Sequence, residues 1–227
     1  MLAAPATVGR YARALFAGVL LVFSAMAQPL WGQEEAGLSR EQVLEALRHP
    51  DPDVRSGAYI ALGDVGMRGD LPLLYSALYD DDRLVRRLAE NAIWKIWERS
   101  GNALHDRMLQ RGIEQMHAGQ YEGAIRSLTA LIRLAPGFTE AWNKRATLYY
   151  LVGEDARSIA DCAEVLAREP NHFGALSGYG LLMLRKGDYR RALEYFEKAL
   201  TVNPNLRGVP ENIDAIKRVL EEGGGAI

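Results

Sequence analysis

Residues 171–204 read NHFGALSGYGLLMLRKGDYRRALEYFEKALTVNP, and the fold is decided on this stretch. It holds two helical segments separated by Gly187-Asp188. Asn171 is placed to cap the first, which runs by its spacing to about Lys186. Glycine enters the left-handed conformation that ends a helix at little cost, so Gly187 marks a turn. The second segment, from Tyr189 to about Val202, sets Leu193, Phe196 and Leu200 on one face. Pro204 stops it, because a proline ring cannot continue a helix. The small residues Gly180 and Ala192 would let the two helix axes approach closely.

The same pattern stands twice more upstream, at a shift of 34 residues. Gly119, Gly153 and Gly187 align, as do Pro136, Pro170 and Pro204. So do Gly112, Ala146 and Gly180, and Ala124, Ser158 and Ala192. One period shared by four registers is the signature of a repeat architecture. On these residues, together with Ala141-Trp142, Tyr149, Phe196 and Ala199, the units resemble tetratricopeptide repeats. The unit from His105 to Pro136 fits more loosely, through Met108, Gly112, Gly119, Tyr121 and Ala124. Residues 210–221 resemble the extra helix that covers the last repeat. There Ile213, Ile216 and Leu220 would pack, and Glu211, Asp214, Lys217, Arg218 and Glu221 would face water.

Residues 39–100 repeat with a different shift, 31. Val54-Arg55 aligns with Val85-Arg86, Ala58 with Ala89, and Ala61 with Ala92. An acidic turn precedes each, Asp51-Pro52-Asp53 and then Asp80-Asp81-Asp82. This block resembles HEAT repeats. Ser39 and Gln42 form a capping box at its start. The expected fold class is therefore all-α: a right-handed α-solenoid of antiparallel helix pairs, two HEAT-like repeats followed by three tetratricopeptide units and a capping helix. The HEAT-like block covers 39–101, the three units 102–204 and the capping helix 205–222, with a flexible tail at 223–227. Only Ser100-Gly101-Asn102 separates the blocks, so they are expected to stack directly.

Ahead of the repeats lies an expected export signal, residues 1–27. Arg10 and Arg13 precede an apolar run from Ala14 to Met26, and Ala25-Met26-Ala27 is a small-x-small cleavage pattern. Residues 28–38 would form a flexible mature N-terminus, and the chain would be periplasmic or secreted in a Gram-negative bacterium. The alternative is an uncleaved inner-membrane anchor, although the run is short of the ~20 residues of a comfortable span. After cleavage no membrane insertion is expected. The formal charge of −2 argues against a nucleic-acid binder, which usually needs a strongly basic face. The hydrophobic fraction of 48% supports a packed core rather than disorder. The single cysteine, Cys162, leaves no internal disulfide to stabilise the chain.

No catalytic constellation emerges. Cys162 falls on an apolar helix face with Ile159, Val165 and Leu166, where it reads as a small buried hydrophobe rather than a reactive thiol. The acidic turns lack the Gly and distant Glu of a calcium loop and read as helix caps. His49, His105, His117 and His172 show neither an i, i+4 pair nor a HExxH pattern, so no metal is expected. No cofactor is expected either, since no phosphate loop, dinucleotide fingerprint or Gly-x-Ser-x-Gly occurs. On the helix from Leu84 to Arg99, Trp97 lies at the edge of the apolar stripe and Trp94 nearly opposite. Trp94 is either part of a second buried face or an exposed aromatic anchor for a partner.

In tetratricopeptide arrays the first helices of the repeats line a concave groove. The resemblance places Gln110, Ile113, Asn143, Lys144, Thr147, Tyr150, Ser177 and Leu181 there. Some family members grip a peptide's C-terminal carboxylate with Lys, Asn and Arg from three repeats. The matching positions here are Leu109, Ile113, Lys144, Gly174 and Gly178, of which only Lys144 is basic. The departure argues against that grip and for a segment held by mixed polar and apolar contacts. The function expected is an exported, non-catalytic scaffold or adaptor binding a protein or peptide partner. The alternatives are a regulatory or assembly subunit of a cell-envelope enzyme and an enzyme with an unrecognised site.

Overall fold

A computed structural model describes residues 39–224. The expected export signal, the stretch after it and the last three residues lie outside the described residues. All regular structure among the described residues is helical, and the chain divides into two compact units between Ile96 and Trp97.

The first unit contains α1 (Arg40–Ala46), α2 (Pro52–Val65), α3 (Leu71–Ala77) and most of α4 (Arg83–Trp97). The capping box at Ser39 is present: its hydroxyl accepts from the Gln42 backbone, and the Gln42 side chain accepts from the Ser39 N–H. The acidic turns also cap. Asp51 accepts from Asp53 N–H at 2.9 Å. Asp82, 31 residues on, accepts from Leu84 N–H at 2.7 Å and Val85 N–H at 3.0 Å. Each satisfies donors that a helix start leaves open.

The aligned arginines do matching work. The Arg55 guanidinium donates to the carbonyls of His49 and Pro50, and that of Arg86 to those of Asp80 and Asp81. Arg55 also grips the Asp80 carboxylate with two parallel bonds, Nε at 3.0 Å and a terminal nitrogen at 2.9 Å. One repeat is thereby tied to the turn of the next. Val54, Ala58, Leu62, Leu74, Val85, Ala89 and Ile93 fill the interior.

The second unit stacks three antiparallel helix pairs. They are α5 (Ala103–His117) with α6 (Tyr121–Leu134), α7 (Thr139–Leu151) with α8 (Asp155–Arg168), and α9 (Phe173–Arg185) with α10 (Tyr189–Val202). The last helix, α11 (Val209–Gly224), buries Ile213 and Ile216 and exposes the five expected polar residues. Gly119, Gly153 and Gly187 have φ of 72°, 81° and 75°, as the turns between paired helices require.

One expectation needs correction here. The cap of α9 is His172, not Asn171: its Nδ1 accepts from the Ala175 N–H at 3.1 Å. At the buried pair of small residues Gly180 and Ala192, Gly180 makes room for a side chain of the facing helix. A Cβ at Gly180 would stand 2.7 Å from the Phe196 ring, and one at Gly112 would stand 2.8 Å from Leu128. In the middle repeat the same two registers hold Ala146 and Cys162. Where the first helix has no side chain the second places a large one, and the pair fills a similar space.

Candidate functional site

The first helices α5, α7 and α9 stand side by side in register, so position 113 lines up with 147 and 181. Gln110 and Thr147 are exposed; Tyr150, Ser177 and Leu181 are half-buried. The Thr147 hydroxyl bonds the Asn143 carbonyl, and that of Ser177 bonds the Phe173 carbonyl. Tyr150 lies under the Arg185 guanidinium, 3.7 Å from the ring centre, and Arg185 also holds Asp155. That contact is a cation–π interaction between neighbouring repeats.

Two residues expected on the groove wall are interior. Ile113 packs with Leu109, Ala124 and Leu128 in the core of the first repeat. Asn143 is 7% exposed and donates to Glu140 Oε1 at 3.0 Å. The resemblance places them by register on the groove wall, and the helix turns both inward.

Glu140 is the centre of a polar cluster that sequence reasoning missed. Its carboxylate is fully buried. It takes Asn143 Nδ2 at 3.0 Å, Lys144 Nζ at 3.1 Å and His172 Nε2 at 3.0 Å. His172 Nδ1 is already the acceptor for Ala175, which assigns the ring hydrogen to Nε2 and makes it the donor to Glu140. Burial pushes the Glu140 carboxyl up, but His172, then Lys144 and Asn143, outweigh it and hold the carboxyl below its ordinary range. Burial likewise pulls Lys144 down, and Glu140 and Glu98 outweigh that and raise it. Both groups are therefore charged. The Lys144 Nζ also meets Glu98 at 3.0 Å. Trp97, 1% exposed, stacks on the His172 ring with centroids 3.8 Å apart. One signal was available. The register that holds His172 holds Phe138 one repeat earlier and Leu104 two earlier, so a histidine stands where apolar residues recur.

A second arrangement runs along α7 and α8. Arg145 grips Asp161 through two bonds, at 2.7 Å and 2.8 Å, and bonds the Thr129 hydroxyl. Its guanidinium lies over Trp142 and Tyr149, and those rings also meet Arg168 and Arg157. The pairing is internally satisfied and reads as structural.

Trp94 is half-buried rather than exposed. Cys162 is buried among apolar side chains, and burial, reinforced by Asp161, pushes its thiol up to about 12. A thiol so protonated is a poor nucleophile. Among the described residues no group of three or more His, Cys, Asp or Glu is placed to hold a metal ion. None of the described helices is long and apolar enough to cross a membrane.

With this geometry in hand, comparison with known proteins gives the class. Residues 109–171 and 173–206 match tetratricopeptide-repeat models, and residues 22–94 match a HEAT-repeat model. The HEAT match begins inside the apolar run read as an export signal. The chain is a repeat protein that carries HEAT repeats followed by tetratricopeptide repeats. A TPR repeat-containing protein of Rhizobium etli is 32% identical over 57% of this chain and 64% of its own length. FK506-binding protein-like of Mus musculus is 29% identical over 54% of this chain and 38% of its own length. The chain thus spans less than two thirds of these curated relatives. Among solved structures, the Sgt2 TPR domain from Aspergillus fumigatus aligns at a TM-score of 0.52 with 24% identity, over 55% of this chain and 84% of that one. The first TPR of Spaghetti, bound to an HSP90 peptide, aligns at 0.50 with 20% identity, over 52% and 93%. These likenesses show the helical-repeat fold.

Proposed function

We propose that the chain is a non-catalytic protein-interaction scaffold, and that its tetratricopeptide unit holds an extended or helical segment of a partner against α5, α7 and α9. The observation that carries this reading is the line of exposed and half-buried side chains at repeating registers on those helices. Gln110, Thr147, Ser177 and Leu181 offer mixed polar and apolar contacts, and Tyr150 offers an aromatic anchor held by Arg185. The first TPR of Spaghetti, similar in fold, is bound to an HSP90 peptide, which supports a short segment as the ligand. Export to the cell envelope is part of the proposal and rests on the Arg10 to Ala27 signal pattern.

A photoreactive residue at Thr147, crosslinked in cells and identified by mass spectrometry, tests the groove. One dominant partner, lost on Tyr150→Ala, is the expected result. Crosslinks that persist unchanged in that variant, or none at all, would remove the groove as the site. Fractionation and N-terminal sequencing of the full-length product test export: a chain retained in the cytoplasm with residues 1–27 intact would remove it.

A further inference from the structure

Trp97 ends α4 and Glu98 follows it, outside the three helix pairs, yet they are seated on two of the pairs' first helices. The Trp97 ring stacks on His172 at an interplanar angle of 10° and meets the Phe173 ring at 4.9 Å. The Glu98 carboxylate meets Lys144 Nζ at 3.0 Å. His172 and Phe173 start α9, and Lys144 stands on α7. Two consecutive residues therefore bridge the second and third repeats with one aromatic anchor and one ion pair. This is how a bound peptide segment is held: a desolvated ring in a pocket and a carboxylate on a cation. Glu98 and Glu140 together neutralise Lys144.

We propose that Trp97-Glu98 is an internal ligand that keeps the α7–α9 end of the groove closed, and that the partner segment which opens it carries an aromatic residue followed by an acidic one. This rests on the groove being the partner's site. A tethered segment competes at an effective concentration of the order of millimolar. A free segment of the same chemistry is therefore excluded unless it gains further contacts along Thr147, Tyr150 and Leu181. Selectivity follows, since a partner that offers only the aromatic-acidic pair does no better than the tether.

The test uses a fluorescent peptide copying residues 92–102, AIWKIWERSGN. Its anisotropy is followed on titration with the full chain, with Glu98→Gln and with Trp97→Ala, each checked for helix content by circular dichroism. The peptide is expected to bind Trp97→Ala at least about tenfold more tightly than the unaltered chain, with Glu98→Gln between them, because the tether no longer competes. Replacing the peptide's own Trp97 by Ala should abolish binding. Equal affinity for all three chains, or no binding to a folded Trp97→Ala chain, would overturn the proposal. Where Trp97→Ala does not fold, Glu98→Gln decides, and affinity equal to that of the unaltered chain overturns it. The Thr147 crosslink separates this from the groove reading. A partner captured equally by the unaltered and Glu98→Gln chains keeps the groove and removes the internal ligand. Tighter peptide binding with no cellular partner does the reverse.

Discussion

In the first unit, Arg55 reaches from one repeat to Asp80 in the turn of the next, with both side chains mostly but not fully buried. In the second unit the ties lie deeper. Gly180 and Gly112 receive Phe196 and Leu128, and the fully buried Glu140 collects donors from its own helix and from the next repeat's cap. The HEAT block ties one repeat to the next with a forked ion pair, the tetratricopeptide block with the bond from His172 to the fully buried Glu140, while Gly180 and Gly112 fit together the two helices within a repeat. A near-surface pair is cheap to form and modest in worth, because water competes for both ends. A buried carboxylate is costly alone and stable only when every lone pair finds a donor, which makes its loss far more damaging.

The comparison can be broken at its strongest point. Glu140→Ala leaves Asn143, Lys144 and His172 without their shared acceptor, and should lower the stability of the second unit by about 4 kcal/mol in urea unfolding of the full chain. It should also change the acid response. The Glu140 carboxyl sits below its ordinary value of 4.5 when folded, so its stabilisation is complete above that pH and fades as pH falls through the lower folded value. A Glu140→Ala chain should lack this component, and its stability should fall less steeply with acid. A loss under ~1 kcal/mol would place the buried charge on the same footing as the exposed pairs.

A double-mutant cycle sharpens the shape argument. Gly180→Ala gains helix propensity but drives a methyl into the Phe196 ring, for a net loss of about 2 kcal/mol. In that background Phe196→Cys, which recreates the Ala146/Cys162 combination, should cost at least ~1 kcal/mol less than it does alone. Additive losses would mean that the two sites do not share their space. In the first unit, Arg55→Ala should cost about 1.5 kcal/mol, and Arg55→Lys should recover only part of it, since lysine keeps the charge and loses the fork. The smallest effect is expected at Gly187→Ala, about 1 kcal/mol, from forcing a Cβ into φ of 75° where nothing else is crowded.

Much of this was legible in the residues. Two periods, 34 and 31, mark two kinds of helix pair, and the acidic turns read as caps from their residues alone. Capping and turn chemistry are local, so a few neighbouring residues suffice to read them. The groove was less legible. Resemblance put Ile113 and Asn143 on its wall, whereas side-chain packing turned both inward. Sequence reasoning treated His172 as an isolated histidine and placed Trp97 at the edge of the HEAT stripe, yet the two rings are stacked. Neither is near the other in the chain, and no short spacing relates Glu140 to His172.

The sequence by itself determined the helix pairs, their turns and their order, because Gly, Pro, cap residues and apolar spacing act over one or two turns of chain. Only the tertiary structure decided that Glu98 satisfies Lys144, that Glu140 is buried with three donors, and that Trp97 covers the start of α9. Apart from Asn143 and Lys144 on Glu140, those contacts join residues tens of positions apart, and their strength comes from the exclusion of water, which exists only once the repeats have stacked.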